Sequence, residues 1–254
     1  RKERKGKKIQ NFIKGILKFL TGVFIIFIAT YSFKLNGWYL KSYDNVTIIN
    51  NKITKTAKIR KEIERIPLPN VPIFMKNMDN LVKQIQKLPP IDKVYVRRFI
   101  FPGRIIIFVK EKIPVITIKN DYEKEPVAVF TKDGSIIEGP DYLPLPNEYK
   151  TILVLASTEY KKWGLKEIND IKKMTNYIET FSQEKIVYID MHNNKDIYAK
   201  LETTTLRLGK PDEKMYDRIE RLPSIIPELR KVQNDVKYVD LSWDNATYLK
   251  LDKG

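Results

Sequence analysis

The sequence predicts an α+β protein with three parts in order: a single N-terminal transmembrane helix, a βααββ module, and a C-terminal mixed β-sheet domain with two longer helices. Three observations predict it. A charge-free apolar run follows a basic tail, helix-period and strand-period segments alternate behind it, and prolines and tight-turn dipeptides separate those segments.

Composition narrows the chemistry before any motif is considered. The chain has 254 residues with 43% apolar side chains, enough for one large domain or two modest ones at ~100–200 residues each. It has no Cys, which excludes disulfides, thiolate metal sites, a Cys nucleophile and iron–sulfur clusters. The one His, His192, excludes a metal site built on two imidazoles and leaves little for His-based acid–base chemistry. The net charge of +16 is concentrated at the start, where residues 1–18 hold eight basic residues and a single acid, Glu3.

Residues 1–14 read as a basic cytoplasmic tail and 15–37 as the transmembrane helix. Phe19 to Phe33 carries no charge. Counted from Gly15 the stretch spans roughly 28 Å as a helix, close to the thickness of a bilayer's hydrocarbon core. Lys18 lies near its end and can snorkel, and Trp38 and Tyr39 follow where an interfacial aromatic belt belongs. A cleaved signal peptide would want a small-x-small site, and Ala29-Thr30-Tyr31 is a poor one. A buried core helix would seldom follow six basic residues in eight. The positive-inside rule puts the tail in the cytoplasm and the rest of the chain outside. The tail's expected partner is the lipid bilayer, with no nucleic acid.

Residues 40–112 form the βααββ module. Val46 to Ile49 is β-prone. Ile59, Ile63 and Ile66 repeat at helical spacing before Pro67 and Pro69 stop them. A second helix starts near Asn77, with Leu81, Val82, Ile85 and Leu88 on one face and Pro89-Pro90 at its end. Lys93–Phe101 and Arg104–Lys112 are strands joined at Pro102-Gly103, and Ile105 to Val109 is apolar on both faces, as in a strand inside a sheet.

Residues 113–254 are richer in strands. Val127–Thr131 and Ser135–Glu138 flank the tight-turn signal Lys132-Asp133-Gly134. Ile152 to Leu155 is a buried strand. Leu165, Ile168, Ile171, Met174, Ile178 and Phe181 make one face of a long helix. Strands follow at Ile186–Met191, Ile197–Leu201 and Thr204–Leu208. A second helix has Pro211 in its first turn and Met215, Ile219 and Leu222 as its stripe, and Val236–Trp243 and Thr247–Leu251 close the chain.

No catalytic, cofactor or metal site is expected. His192 sits in a polar turn, Ser135 has no neighbouring base, the glycines form no phosphate-cradling pattern, and no spacing nominates a carboxylate pair. Asn45-Val46-Thr47 and Asn245-Ala246-Thr247 fit the glycosylation pattern, which matters only in a eukaryotic secretory pathway. The C-terminal segment from Lys237 to Asp244 alternates and carries large aromatics. A terminal strand is often an edge, open to addition of a partner's strand. Trp243 can equally pack on the domain's own helices, and for Tyr238 that packing is the expected role.

The run Leu88-Pro89-Pro90-Ile91-Asp92-Lys93-Val94-Tyr95-Val96-Arg97-Arg98, followed by Phe101-Pro102-Gly103-Arg104-Ile105-Ile106-Ile107-Phe108-Val109-Lys110-Glu111-Lys112-Ile113-Pro114-Val115, resembles the strand, turn and Glu-Lys-x-Pro strand of the FtsQ/DivIB family of bacterial cell-division proteins. Val129 to Ile137, Leu206-Arg207-Leu208-Gly209 and Tyr238-Val239-Asp240-Leu241 resemble that family's downstream hairpin, strand and closing strand. The resemblance spans residues 9–251. Asn50-Asn51 stands where the family has Gly-Asn, and Ser242 where it has Arg.

The resemblance implies that residues 40–112 are a POTRA domain and that the protein is a non-enzymatic division scaffold in the cytoplasmic membrane, enriched at the septum. It implies partners of the FtsB/FtsL type, with an FtsB segment adding to the C-terminal strand, and further division proteins contacting the POTRA domain. The implied partner-binding residues are Tyr238, Leu241, Trp243, Asp244, Asn245, Tyr248 and Leu249. The alternative is a POTRA-bearing protein of envelope transport or assembly, although about 140 residues with two long helices cannot supply a membrane barrel. A membrane-anchored wall enzyme would need a catalytic cluster that the sequence does not show.

Overall fold

A computed structural model describes residues 2–229, 236–244 and 246–251. The chain divides into two compact units, one made of residues 1–51, 56–87 and 93–109, the other of 52–55, 88–92 and 110–254. Among the described residues the strands form a three-stranded and a nine-stranded sheet.

The first unit opens with helix α1, Lys2–Phe33, which runs through the basic tail without a break. Its Phe12–Phe33 stretch is long and apolar enough to cross a membrane, and none of its most apolar window is buried in the protein. The helix ends at Phe33, short of the expected 37. Leu35 is extended, and Asn36–Trp38 forms a 3-10 turn. Asn36 and Gly37 are both poor helix formers, which accounts for the stop.

Strand β1 (Val46–Ile49), helices α2 (Thr56–Glu64) and α3 (Asp79–Gln86), and strands β2 (Ile91–Phe99) and β3 (Arg104–Glu111) follow in the expected order. Strand β3 lies between β1 and β2, with β1 parallel to it. This central place explains the strand's apolar character on both faces: Ile105, Ile107 and Val109 are fully buried, and Ile106 and Phe108 half-buried. Helix α2 buries Ile59 and Ile63, and α3 buries Leu81 and Ile85. Ile66 falls outside α2, because a residue before proline is pushed out of the helical region. The Asn77 carboxamide oxygen accepts the Asp79 N–H at 2.7 Å, which starts α3. Asn50 takes a left-handed conformation, φ 66°, as the turn after β1 requires.

In the second unit the strand order is β12-β11-β10-β9-β8-β7-β4-β5-β6. The strands are β4 (Pro114–Lys119), β5 (Pro126–Thr131), β6 (Ile136–Glu138), β7 (Ile152–Leu155), β8 (Ile186–Asp190), β9 (Ile197–Leu201), β10 (Thr205–Gly209), β11 (Val236–Asp240) and β12 (Tyr248–Leu251). Strand β4 escapes a reading of the sequence because it follows β3 with no turn signal between them. Its alternation of buried Pro114, Ile116 and Ile118 with half-buried Val115, Thr117 and Lys119 is the period-2 pattern that could have found it.

Helix α4, Leu165–Ser182, connects the parallel pair β7 and β8 and buries Ile168, Ile171, Met174 and Ile178 in the core. The second long helix is in fact two short ones, α5 (Met215–Ile219) and α6 (Leu222–Leu229). Pro223 has no N–H for the Ile219 carbonyl, so a helix continuing past Ile219 must break and restart. Pro211 lies in the approach to α5 and not in its first turn. Met215, Ile219 and Leu222 are buried as expected.

The Glu-Lys-x-Pro motif organises this unit. The Glu111 carboxylate accepts the backbone N–H groups of Lys52, Ile53 and Thr54 at 2.8, 2.8 and 2.7 Å. The Lys112 ammonium donates to Ser135 Oγ at 2.8 Å, and the Lys112 N–H to the Pro90 carbonyl at 2.8 Å. Hydrogen bonds to a charged group are worth about 1.5–3 kcal/mol. Glu111→Ala is therefore expected to lower unfolding stability by about 2 kcal/mol or more, with Glu111→Gln recovering part of it; urea titration checks both.

Candidate functional site

The C-terminal edge is built on two sequence motifs brought side by side. Strands β10 and β11 run parallel, with Arg207 opposite Asp240. The Arg207 guanidinium donates to Asp196 through Nε at 2.9 Å and a terminal nitrogen at 3.1 Å, and to Asp240 through the other terminal nitrogen at 3.0 Å. The Leu241 N–H donates to the Arg207 carbonyl at 2.8 Å. Asp240 in turn accepts the Ser242 N–H and hydroxyl at 2.9 and 2.6 Å. Gly209 sits at φ 72°, and a Cβ there would lie 2.7 Å from that of Ser242, so glycine is required on both counts.

The segment beyond Leu241 is held by cations on α5 and at its two ends. Arg218 is 3% exposed and pairs with Asp212 at 3.0 Å and Asp244 at 3.1 Å. Lys214 reaches the same Asp244 at 2.8 Å, and Arg221 donates to the Trp243 carbonyl at 2.8 Å. The Trp243 backbone is thereby fixed while its side chain remains 59% exposed. Its ring meets Tyr248 edge-on at 6.1 Å. Strand β12 pairs antiparallel with β11, Asp240 opposite Tyr248 and Val239 opposite Leu249, and stands at the end of the sheet. Among the described residues its outer edge has no strand neighbour.

The seven residues nominated from the sequence do not share one fate. Trp243, Tyr248 and Leu249 are exposed on or beside the edge strand. Asp244 adjoins them, with its carboxylate engaged by Lys214 and Arg218. Tyr238 is half-buried and packs edge-on against Tyr198 at 5.9 Å, inside its own domain. Leu241 corrects the expectation: its side chain is fully buried in the core, where it anchors the strand and offers nothing to a partner. Asn245 lies outside the described residues. Sequence reasoning misses Arg218 and Arg221. Their acceptors lie 26 and 22 residues away, beyond the reach of any local pattern.

Elsewhere, His192 is clamped between the Asp190 carboxylate at 2.7 Å and the Asn120 carbonyl at 2.9 Å. Both partners are acceptors, so the protonated ring satisfies both contacts. Burial of the ring opposes protonation, but the hydrogen bonds to Asp190 and to the Asn120 carbonyl and the charges of Asp190 and Asp121 together raise the pKa. Among the described residues no three His, Cys, Asp or Glu side chains group as a metal site.

The fold thus defines a class, a POTRA module behind an N-terminal apolar helix and ahead of a large mixed sheet. Residues 41–112 match the family model of the FtsQ-type POTRA domain, and with the helix before it this domain fits a protein of the FtsQ/DivIB family. The match supports a division-associated membrane protein, and FtsQ-type POTRA proteins form a non-enzymatic scaffold family. No curated protein matches the chain.

Asp240 gives the edge a pH dependence. Burial alone would push its carboxyl up, but the hydrogen bonds from Ser242 and Arg207 hold it below the usual carboxylate range. A depressed native pKa contributes stability that is full above the unfolded value, ~3.9, and is lost as pH falls below it. Asp240→Asn is expected to be less stable than the parent at pH 7 and to lose less stability on acidification; urea midpoints measured from pH 7 downward check the convergence.

Proposed function

We infer that the protein is a non-catalytic, single-pass scaffold of the bacterial division complex that binds an FtsB/FtsL-type pair at the C-terminal edge of its large sheet. In this reading residues 1–14 lie in the cytoplasm, 15–37 carry the membrane span, and the POTRA domain (40–112) and β domain (113–254) lie on the outer side, concentrated at the septum. The POTRA domain contacts other division proteins, and the complex controls septal wall synthesis.

The observation that carries the reading is β12, a short strand whose outer edge has no strand neighbour among the described residues and which has exposed Trp243, Tyr248 and Leu249 around it. An extended partner segment can complete the backbone hydrogen bonds of such an edge while the side chains set specificity. The FtsQ-type POTRA match supplies the division setting, and the basic residues of the tail support its cytoplasmic placement.

Depletion in the host is expected to give long cells without septa, with division restored by the full chain and not by one truncated before Val236. Septation at normal length would overturn the reading. Trp243→Ala is expected to weaken binding of an FtsB/FtsL-type pair by about 1–3 kcal/mol, as for an interface aromatic, with the unfolding temperature unchanged. Titration against the full chain in detergent checks it, and unchanged affinity moves the site elsewhere.

A further inference from the structure

The POTRA unit presents a second exposed apolar patch, at the place where α1 enters it. Met75 is 60% exposed and Phe101 61%, and Val71 and Ile100 beside them are exposed as well. These side chains sit on the loop before α3 and on the turn between β2 and β3. A shallow apolar cleft of about 280 Å³ opens among Ser32, Phe33, Trp38, Phe74 and Ile100.

The patch is held level with the last turn of α1. Trp38 Nε1 donates to the Ser32 carbonyl at 2.6 Å, and the Tyr39 hydroxyl to the Phe33 carbonyl at 3.1 Å. The Gly103 N–H donates to the Gly37 carbonyl at 2.6 Å, and the Ile73 N–H to the Trp38 carbonyl at 2.8 Å. The Trp38 ring packs on Phe74 and Phe101 at 5.9 and 5.3 Å, and Phe33 meets Phe74 at 6.2 Å. A Cβ at Gly37 would lie 2.0 Å from the Phe101 ring, so any side chain there would displace that ring. The joint is therefore packed and hydrogen-bonded, with no loose linker between helix and domain.

Charge selects the occupant. The segments 33–41, 71–78 and 97–104, at this end of the unit, contain Lys34, Lys41, Lys76, Arg97, Arg98 and Arg104, and no acid. Aromatic and apolar side chains on segments that also carry cations and no acid suit the boundary between lipid headgroups and acyl chains, more so where the lipid is anionic.

We propose that this end of the POTRA domain lies in the headgroup layer of the leaflet from which α1 emerges, with Met75, Ile100 and Phe101 in the acyl boundary and the cations of these segments on anionic headgroups. The proposal rests on the reading of α1 as a membrane span. The domain then stands on the bilayer in one orientation, because α1 and the patch together give it two points of attachment.

The chain lacks Cys, so single nitroxide labels can be placed cleanly. Met75→Cys and Ile100→Cys test the patch, and Ile25→Cys tests the helix. Tyr95→Cys, on the order of 17 Å back along β2 at ~3.4 Å per residue, is the control. The full-length variants are reconstituted in vesicles of equimolar phosphatidylcholine and phosphatidylglycerol, and label collisions with oxygen and with a nickel chelate are compared. Labels at 75 and 100 are expected to collide with the chelate several-fold less than the label at 95, and the label at 25 hardly at all. If 75 and 100 are as water-exposed as 95 while 25 is lipid-immersed, the anchor stands and the surface contact is overturned, leaving the patch to a protein partner. A water-exposed label at 25 overturns both the membrane span and this proposal.

Discussion

The Arg207 guanidinium, shared between the Asp196 and Asp240 carboxylates, sits at the centre of the C-terminal half. Its three short hydrogen bonds join β10 to β11 across their parallel pairing and tie both to the turn before β9. An Arg fork matches carboxylate geometry, so this contact fixes register as well as supplying attraction. The rest of the edge is built outward from it. Asp240 turns the chain through Ser242, Gly209 leaves the space that turn needs, and Leu241 drops into the core. Trp243 is then delivered to the surface on a fixed backbone, and β12 pairs where β11 ends.

A buried cation governs the segment beyond Leu241. Arg218 would be costly to bury alone, and Asp212 and Asp244 offset that cost from two different loops. The result is an exposed aromatic on a stiff support. A side chain held this way loses little further freedom on binding, which favours affinity. The edge strand itself is short and carries Lys250, features by which proteins discourage indiscriminate strand pairing. Both features guard an end strand that has no strand neighbour on its outer side among the described residues.

The two units solve different problems with similar parts. At the C-terminal edge, aromatic side chains stand beside an open strand. At the exit of α1, they share their segments with cations on a joint where Gly103 lets its backbone reach that of Gly37. In the second unit, Glu111 uses one carboxylate to collect three backbone N–H groups that no strand or helix would otherwise satisfy. This gives the Glu-Lys-x-Pro segment a physical role there.

The sequence by itself determined the apolar helix, the βααββ order, the central place of the Ile105–Val109 strand and the hairpin at Lys132-Asp133-Gly134. Each of these rests on periodicity or turn chemistry contained within a dozen residues. It also marked Trp243, which stands in a locally alternating, aromatic-rich stretch, whereas Tyr248 and Leu249 were named only by the family resemblance. Strand β4 was missed for want of a turn signal, and the break between α5 and α6 because one apolar stripe runs through both. Only the tertiary structure decided which of the nominated residues face outward. Leu241 and Trp243 are two positions apart in one aromatic-rich stretch, yet one is in the core and the other on the surface. What separates them is the Asp240 turn, set by Arg207 and supported by Arg218 and Arg221 from distant segments. Contacts between groups 22 to 33 residues apart leave no periodic trace in the chain, so their consequence emerges only when the strands are laid side by side.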